Sequence, residues 1–183
     1  MIKKRILNRW YLILSFLILL GGCMAINIEK YEGESPNFDF KEYFDGPMKA
    51  WGIVQNWRGN VVTRFDIDMI GKWDGDSGTL KEDFRYYDGR TQTRVWNISR
   101  KSDEEFIGKA DDILNEASGA VKGNAVKWNY VMDLDVEGKT YRIKFDDWMW
   151  RMNDGVVINR SYMKKFGFTV AEITIFIQKQ DAK

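Results

Sequence analysis

Cys23 is the only cysteine in this 183-residue chain, and Gly21-Gly22 stands directly before it. Two glycines leave the backbone open to a peptidase, and a thiol at the cleavage point can be diacylated before it becomes the first mature residue. What precedes fits that chemistry: Lys3, Lys4, Arg5 and Arg9, then an apolar run over 11–20, too short to be a comfortable membrane span. Residues 1–22 therefore read as a lipoprotein signal peptide, with Cys23 as the lipidation site. Each buried acyl methylene adds about 0.8 kcal/mol, so several chains on Cys23 would anchor the protein to a membrane. Met24 stands where an aspartate would signal inner-membrane retention. The expected location is thus the outer membrane of a Gram-negative cell envelope, facing the periplasm.

A second set of residues mixes charge with aromatic surface. Glu82 shares an alternating face with Leu80, Phe84 and Tyr86, and Arg94 shares one with Trp96 and Ile98. A carboxylate or guanidinium inside a barrel is costly unless paired, so each needs a partner, and the other is the candidate. One reading is a structural ion pair that closes one end of the fold. The other is a polar anchor for the head of an elongated ligand whose body lies along Trp96, Trp128, Tyr130 and Phe145. Farther along, charges and aromatics crowd Lys144-Phe145-Asp146-Asp147-Trp148-Met149-Trp150, and Asn159-Arg160 and Lys164-Lys165-Phe166-Gly167 follow. If the Asp154-Gly155 turn folds these stretches together, Asp147 would pair with Arg160 or Lys165. That pair would be a lock at the barrel mouth or, as a site, an anion or head-group pocket. The alternation breaks at Asp147-Trp148, which reads as a bulge or corner. The candidate ligand-binding set is Glu82, Arg94, Trp96, Trp128, Tyr130, Phe145, Asp147, Asn159, Arg160 and Lys165. Asp147 and Glu82 are also the groups that general acid/base catalysis would have to use.

The chain contains no histidine. That excludes Ser-His-Asp and Cys-His catalysis, His-ligated zinc and His-bound haem. It also has no Gly-rich phosphate loop, so no cofactor and no metal is expected. Asp111-Asp112 and Asp146-Asp147 are adjacent pairs, but neighbours on a strand point to opposite faces, so neither is a ready acid/base couple. Removing 1–22 takes four of the 28 basic residues and none of the 27 acidic ones, moving the formal charge from +1 to −3. A mildly acidic domain has no electrostatic case for nucleic acid.

Strand-like alternation supplies the frame for these side chains. Strands are predicted over 48–55 and 61–73 with a turn at 56–60, then around Leu80-Tyr86, Arg94-Ile98, 126–134, 141–145 and 169–178. Asp-Gly and Glu-Gly pairs at 74-75, 88-89, 137-138 and 154-155 supply the positive φ of tight hairpins. The best helix candidate, 109–120, is short and interrupted by glycine. Phe38, Phe40, Tyr43 and Phe44 bring the chain onto the domain through a short helical turn or an irregular segment. Eight to ten antiparallel strands in order give an all-β fold, an up-and-down barrel, with a β-sandwich as the alternative. The predicted organisation is signal peptide 1–22, lipidated cysteine and flexible tether 23–39, and one barrel domain 40–183.

At Gly108-Lys109-Ala110-Asp111-Asp112, Gly119-Ala120-Val121-Lys122-Gly123-Asn124-Ala125, Trp128-Asn129-Tyr130, Phe145-Asp146-Asp147-Trp148-Met149, Asn159-Arg160 and Lys165-Phe166-Gly167, the chain resembles bacterial lipoproteins with domain of unknown function 3833. The resemblance runs from about Tyr43 to Lys179. It implies a proteobacterial, lipid-anchored protein with a lipocalin-like barrel, and an association with genes for fatty-acyl modification. Three functions compete on the sequence: a carrier of a lipid or fatty-acyl ligand, an assembly factor that meets another envelope protein through aromatics around Trp57, Trp148 or Trp150, and a lipid-modifying enzyme using Asp147 or Glu82 with Arg94 or Lys165 on the head group.

Overall fold

Alternating apolar and polar residues bury one side of a pleated strand and wet the other, and here the one-sided sheet closes on itself. The structure, a computed structural model, describes residues 26–136 and 138–181; the predicted signal peptide and Cys23 lie outside the described residues. Ten strands follow one another: β1 (Gly46–Asn56), β2 (Val61–Asp74), β3 (Ser77–Tyr86), β4 (Thr91–Arg100), β5 (Glu105–Lys109), β6 (Ile113–Lys122), β7 (Ala125–Val136), β8 (Lys139–Arg151), β9 (Val156–Lys165) and β10 (Phe168–Lys179). Each pairs antiparallel with its neighbours in sequence, and β10 returns to β1, from Met48 opposite Lys179 to Asn56 opposite Ala171. One closed meander replaces the sandwich alternative and leaves no sheet edge exposed. The turn glycines fall where expected, with Gly75, Gly89, Gly138 and Gly155 all at positive φ.

Two local expectations are corrected. The helix candidate 109–120 is the end of β5, a turn and most of β6. Its glycine reflects space rather than helix propensity: a Cβ on Gly119, or on Gly108 just before the segment, would overlap the Trp128 ring, which lies against both. The break at Asp147-Trp148 is no bulge, since β8 pairs in continuous register with β7 and β9 through this point. Trp148 faces outward yet is 1% exposed, because Tyr31 from the N-terminal segment covers it at 6.0 Å between ring centroids and Trp150 stacks at 6.1 Å.

That segment also corrects the flexible tether expected up to residue 39. Asn27 caps a 3-10 turn over Ile28–Tyr31, its side chain accepting the Glu29 N–H. Phe38 is buried, and its N–H donates to the Gly123 carbonyl at 2.7 Å. Tyr31 and Phe38 bury ring surface, and full burial of a large apolar chain is worth about 1.5–3 kcal/mol, which free tethering would forfeit. Asp39 then caps the helical turn α1 (Phe40–Tyr43) by accepting the Glu42 N–H at 2.9 Å.

With Phe38 and Phe44, α1 plugs one end of the barrel. Phe40 lies 4.6 Å from Phe106 and stacks on Trp128 at 5.8 Å. Gly71 on β2 admits the Phe44 carbonyl where any Cβ would collide with it. The Lys179 ammonium donates to the Glu42 and Tyr43 carbonyls, both at 2.8 Å, and to that of Asp45. The Tyr43 hydroxyl donates to the carbonyls of Gly155 and Ile177. Inward residues at this end, such as Met48, Ile98, Val157 and Ile177, are buried, whereas Val54, Tyr86, Leu134, Tyr141 and Met163 at the opposite end are only half-buried. The barrel is closed at one end and open at the other.

Candidate functional site

Ten strands enclose more width than side chains alone fill, and a cavity of about 270 Å³ runs along the barrel interior. Its walls are mostly apolar: Phe65, Ile67, Phe84, Trp96, Trp128, Tyr130, Phe145 and Ile175 among others. The sequence-predicted aromatics form one connected surface. Trp96 meets Trp128 and Tyr130 edge-on at 6.0 and 5.5 Å, and Tyr130 stacks on Phe145 at 4.7 Å. Such offset and T-shaped pairs hold ring positions as well as burying area.

Into this apolar space project two groups of polar side chains. On the first wall Glu82 and Arg94 stand directly opposite one another on β3 and β4, with side chains 12% and 15% exposed. Their closest approach, Glu82 Oε2 to Arg94 Nη1, is 3.8 Å. The expected pair is therefore present but secondary, because Arg94 is held by Asp112. Its Nε donates to the Asp112 carboxylate at 2.9 and 3.1 Å, and Nη2 reaches Oδ2 at 2.7 Å. The same guanidinium lies 5.6 Å from the Phe84 ring and 5.8 Å from Trp96. Gln92 extends the wall toward the mouth, accepting the Tyr86 hydroxyl at 3.0 Å. Glu82 Oε2 is buried and accepts no hydrogen bond. Burial pushes the Glu82 pKa up, and Arg94 opposes it. Burial also works against charge on Arg94, but Glu82 and Asp112 overcome it and hold the guanidinium above its ordinary range.

The second wall carries Asp147, Asn159 and Ser161. Asp147 lies opposite Ser161 in the β8–β9 register. The Asn159 amide donates to Asp147 Oδ1 and, at 2.9 Å, to the Trp148 carbonyl. Burial raises the Asp147 pKa to about 7, with Glu82's charge adding to the rise and the Asn159 hydrogen bond opposing it. Ser161 Oγ is a second buried polar atom with no hydrogen-bond partner. Tyr130, between the walls, has its phenol pKa pushed well up by burial and by Asp147's charge.

Arg160 and Lys165 do not join this cluster. On β9, Val157, Asn159 and Ser161 face inward, so Arg160 must face out; it meets Glu172 on the outer surface at 3.4 Å. Lys165 stands at the rim, 4.1 Å over the Tyr141 ring. The proposed Asp147 lock with either cation is not formed. Of ten predicted ligand-site residues, eight line the cavity. Among the described residues no three His, Cys, Asp or Glu side chains converge as a metal site.

A family profile described as a protein of unknown function, DUF3833, matches residues 17–179. The chain belongs to the DUF3833 family. No curated protein matches it. Sequence reasoning missed Asp112, Gln92 and Ser161 in this DUF3833 barrel. Ser161 was accessible by continuing the β9 alternation from Asn159. Asp112 was not, because its place beside Arg94 depends on the brevity of β5, which swings the β5–β6 turn back toward β4.

Proposed function

We propose that this DUF3833 barrel binds a lipid, taking one acyl chain along its aromatic wall and an uncharged, hydrogen-bond-donating head beside Glu82 and Asp147. The carrying observation is the charge balance inside the cavity. Arg94 is already engaged by Asp112 and Glu82, so it offers no free cation to a carboxylate or phosphate head. The unmatched atoms are instead Glu82 Oε2 and Ser161 Oγ, and the neighbouring Asp147, held by Asn159, has its charge suppressed near neutral pH by burial. Buried polar atoms in native proteins are matched by a partner as a rule, and a hydroxyl-bearing head supplies the donors that Glu82 lacks. A mostly apolar cavity with a few convergent polar groups is the general form of a small-molecule site, and 270 Å³ lies just below the usual range of about 300–1,000 Å³. The same proposal places the protein on the envelope's outer membrane through Cys23, for which the basic stretch, the apolar run and Gly21-Gly22-Cys23 are the support.

Tryptophan fluorescence titration of the full chain with a monoacylglycerol and with the fatty acid of equal chain length, at pH 8, tests the reading. The monoacylglycerol is expected to bind at least about tenfold more tightly, a difference of about 1.4 kcal/mol. Tighter binding of the carboxylate overturns the head-group assignment, and saturation by neither overturns lipid binding.

A further inference from the structure

The open end of the barrel is unlike the closed end in what it shows to solvent. Three hairpins adjacent around the rim, β9–β10, β1–β2 and β3–β4, carry Phe166, Phe168, Trp57, Val61, Val62 and Tyr87. Phe166 is 89% exposed, Phe168 76% and Trp57 71%. Single exposed apolar residues need no explanation, but a contiguous set does. Each aromatic tip also carries a cation over its ring: Arg58 on Trp57 at 4.5 Å, Arg64 on Tyr87 at 5.0 Å and Lys165 on Phe166 at 5.4 Å.

Phe166 has a second peculiarity. It occupies φ +51°, beside Gly167 at +84°. A bulky side chain in the left-handed region is strained, and glycine or asparagine would fill that corner at less cost. The ring gains no compensating burial in the fold. Strain kept at an exposed position points to use outside the fold.

Charge divides the rim. Residues 57–64, 87–90 and 164–168 hold Arg58, Arg64, Arg90, Lys164 and Lys165 against Asp88 alone; Arg90 pairs with Asp88 and Lys164 with Asp146 of β8, which leaves Arg58, Arg64 and Lys165 as the lip's cations. The facing hairpins, over 109–116 and 134–140, hold Asp111 and Asp135 against Lys139 among the described residues, besides Glu116, which pairs with Lys109, and Asp112, which pairs with Arg94. Aromatic rings interleaved with lysine and arginine suit the interface of an anionic bilayer, where rings sit at headgroup depth and cations meet lipid phosphates.

We propose that the three hairpin tips form a lip that docks the barrel mouth onto an anionic phospholipid surface. The acidic half of the rim turns away from the lipid, and the docked mouth opens the aromatic wall toward acyl chains. Docking does not depend on which lipid the cavity holds, so its failure leaves the proposed ligand untouched. Tyr31 holds the N-terminal segment at the plugged half of the barrel, so the lip and that segment leave the fold at opposite ends.

A nitroxide at Asn60→Cys, in a full chain carrying Cys23→Ser, reads the lip, and one at Asp111→Cys reads the acidic rim. The protein is placed in phosphatidylglycerol vesicles, with further vesicles of the same lipid added so that a facing bilayer is also available. Oxygen accessibility is expected to exceed that of a water-soluble nickel chelate at 60 but not at 111. Arg58→Gln and Arg64→Gln should each lower the inserted-to-free ratio about fivefold, and Phe166→Ser with Phe168→Ser should abolish insertion. Labels equally water-exposed at 60 and 111, or equal insertion into phosphatidylcholine, overturn the proposal. The first of these outcomes leaves the lip as a surface for a protein partner. If the serine variant fails to fold, the two-lipid comparison on the labelled chain decides alone.

Discussion

Replacing Asp147 by asparagine should stabilise this protein at pH 8, the reverse of what removing a hydrogen-bonded buried side chain ordinarily does. In the folded barrel the Asp147 carboxyl titrates at about 7 because burial, with Glu82's charge beside it, disfavours the anion. In the unfolded chain it titrates at 3.8. Above the folded value, folding must bury the anion, and a displacement of about three pKa units corresponds to about 4 kcal/mol at about 1.36 kcal/mol each. The sign follows from proton counting: between pH 3.8 and 7 the native state keeps a proton that the unfolded state has released, so stability falls as pH rises. Below pH 3.8 both states are protonated and the penalty vanishes. The Asp147→Asn side chain retains the oxygen that accepts the Asn159 amide and carries no charge at any pH. Urea unfolding of both proteins between about pH 3.5 and 8.5 should give coincident curves at the acid end and a gap that opens to about 4 kcal/mol above pH 7. A pH-independent gap, or a variant less stable at pH 8, refutes the buried acid.

Gly119→Ala drives a methyl into the Trp128 ring and should cost about 1–3 kcal/mol by thermal or urea unfolding, the range for overpacking a filled interior; an unchanged midpoint would mean the ring is free to move. Arg94→Met strands Glu82 and half-buried Asp112 without their cation and should lose about 3 kcal/mol, the lower range for breaking a buried pair because Asp112 can turn to water. Glu82→Gln, which leaves Arg94 on Asp112, should cost far less in the same assay, and equal losses would contradict the dominance of Asp112.

The barrel was legible because its signals are local. Period-two alternation in β2, β7 and β8, with Asp-Gly turns between strands, dictates hairpins, and hairpins in series dictate a meander. What the sequence concealed depends on contacts between distant residues. Gly119 read as a helix interruption because the Trp128 ring that needs its space lies elsewhere in the chain. Trp148 broke the alternation because Tyr31 covers an outer face that the strand pattern assigns to water. Glu82, Arg94, Trp96, Trp128 and Tyr130 were assigned to shared faces by alternation, and the cavity contains them; Asp147 and Asn159, which also line it, stood out only by the crowding of charge around them. The same rule, applied to Arg160 beside Asn159, would have put it outside. Lys165 keeps the inward phase but stands too close to the rim to reach Asp147.

The most direct test of the central claim is native mass spectrometry of the full chain purified from a bacterial envelope, followed by extraction and identification of whatever lipid accompanies it. The barrel should carry a single acyl lipid with a neutral, hydroxyl-bearing head, retained on the wild type and lost when Trp96 is replaced by arginine with the fold intact by circular dichroism. Protein recovered without bound lipid, and unable to take up monoacylglycerol when it is supplied, would contradict the account.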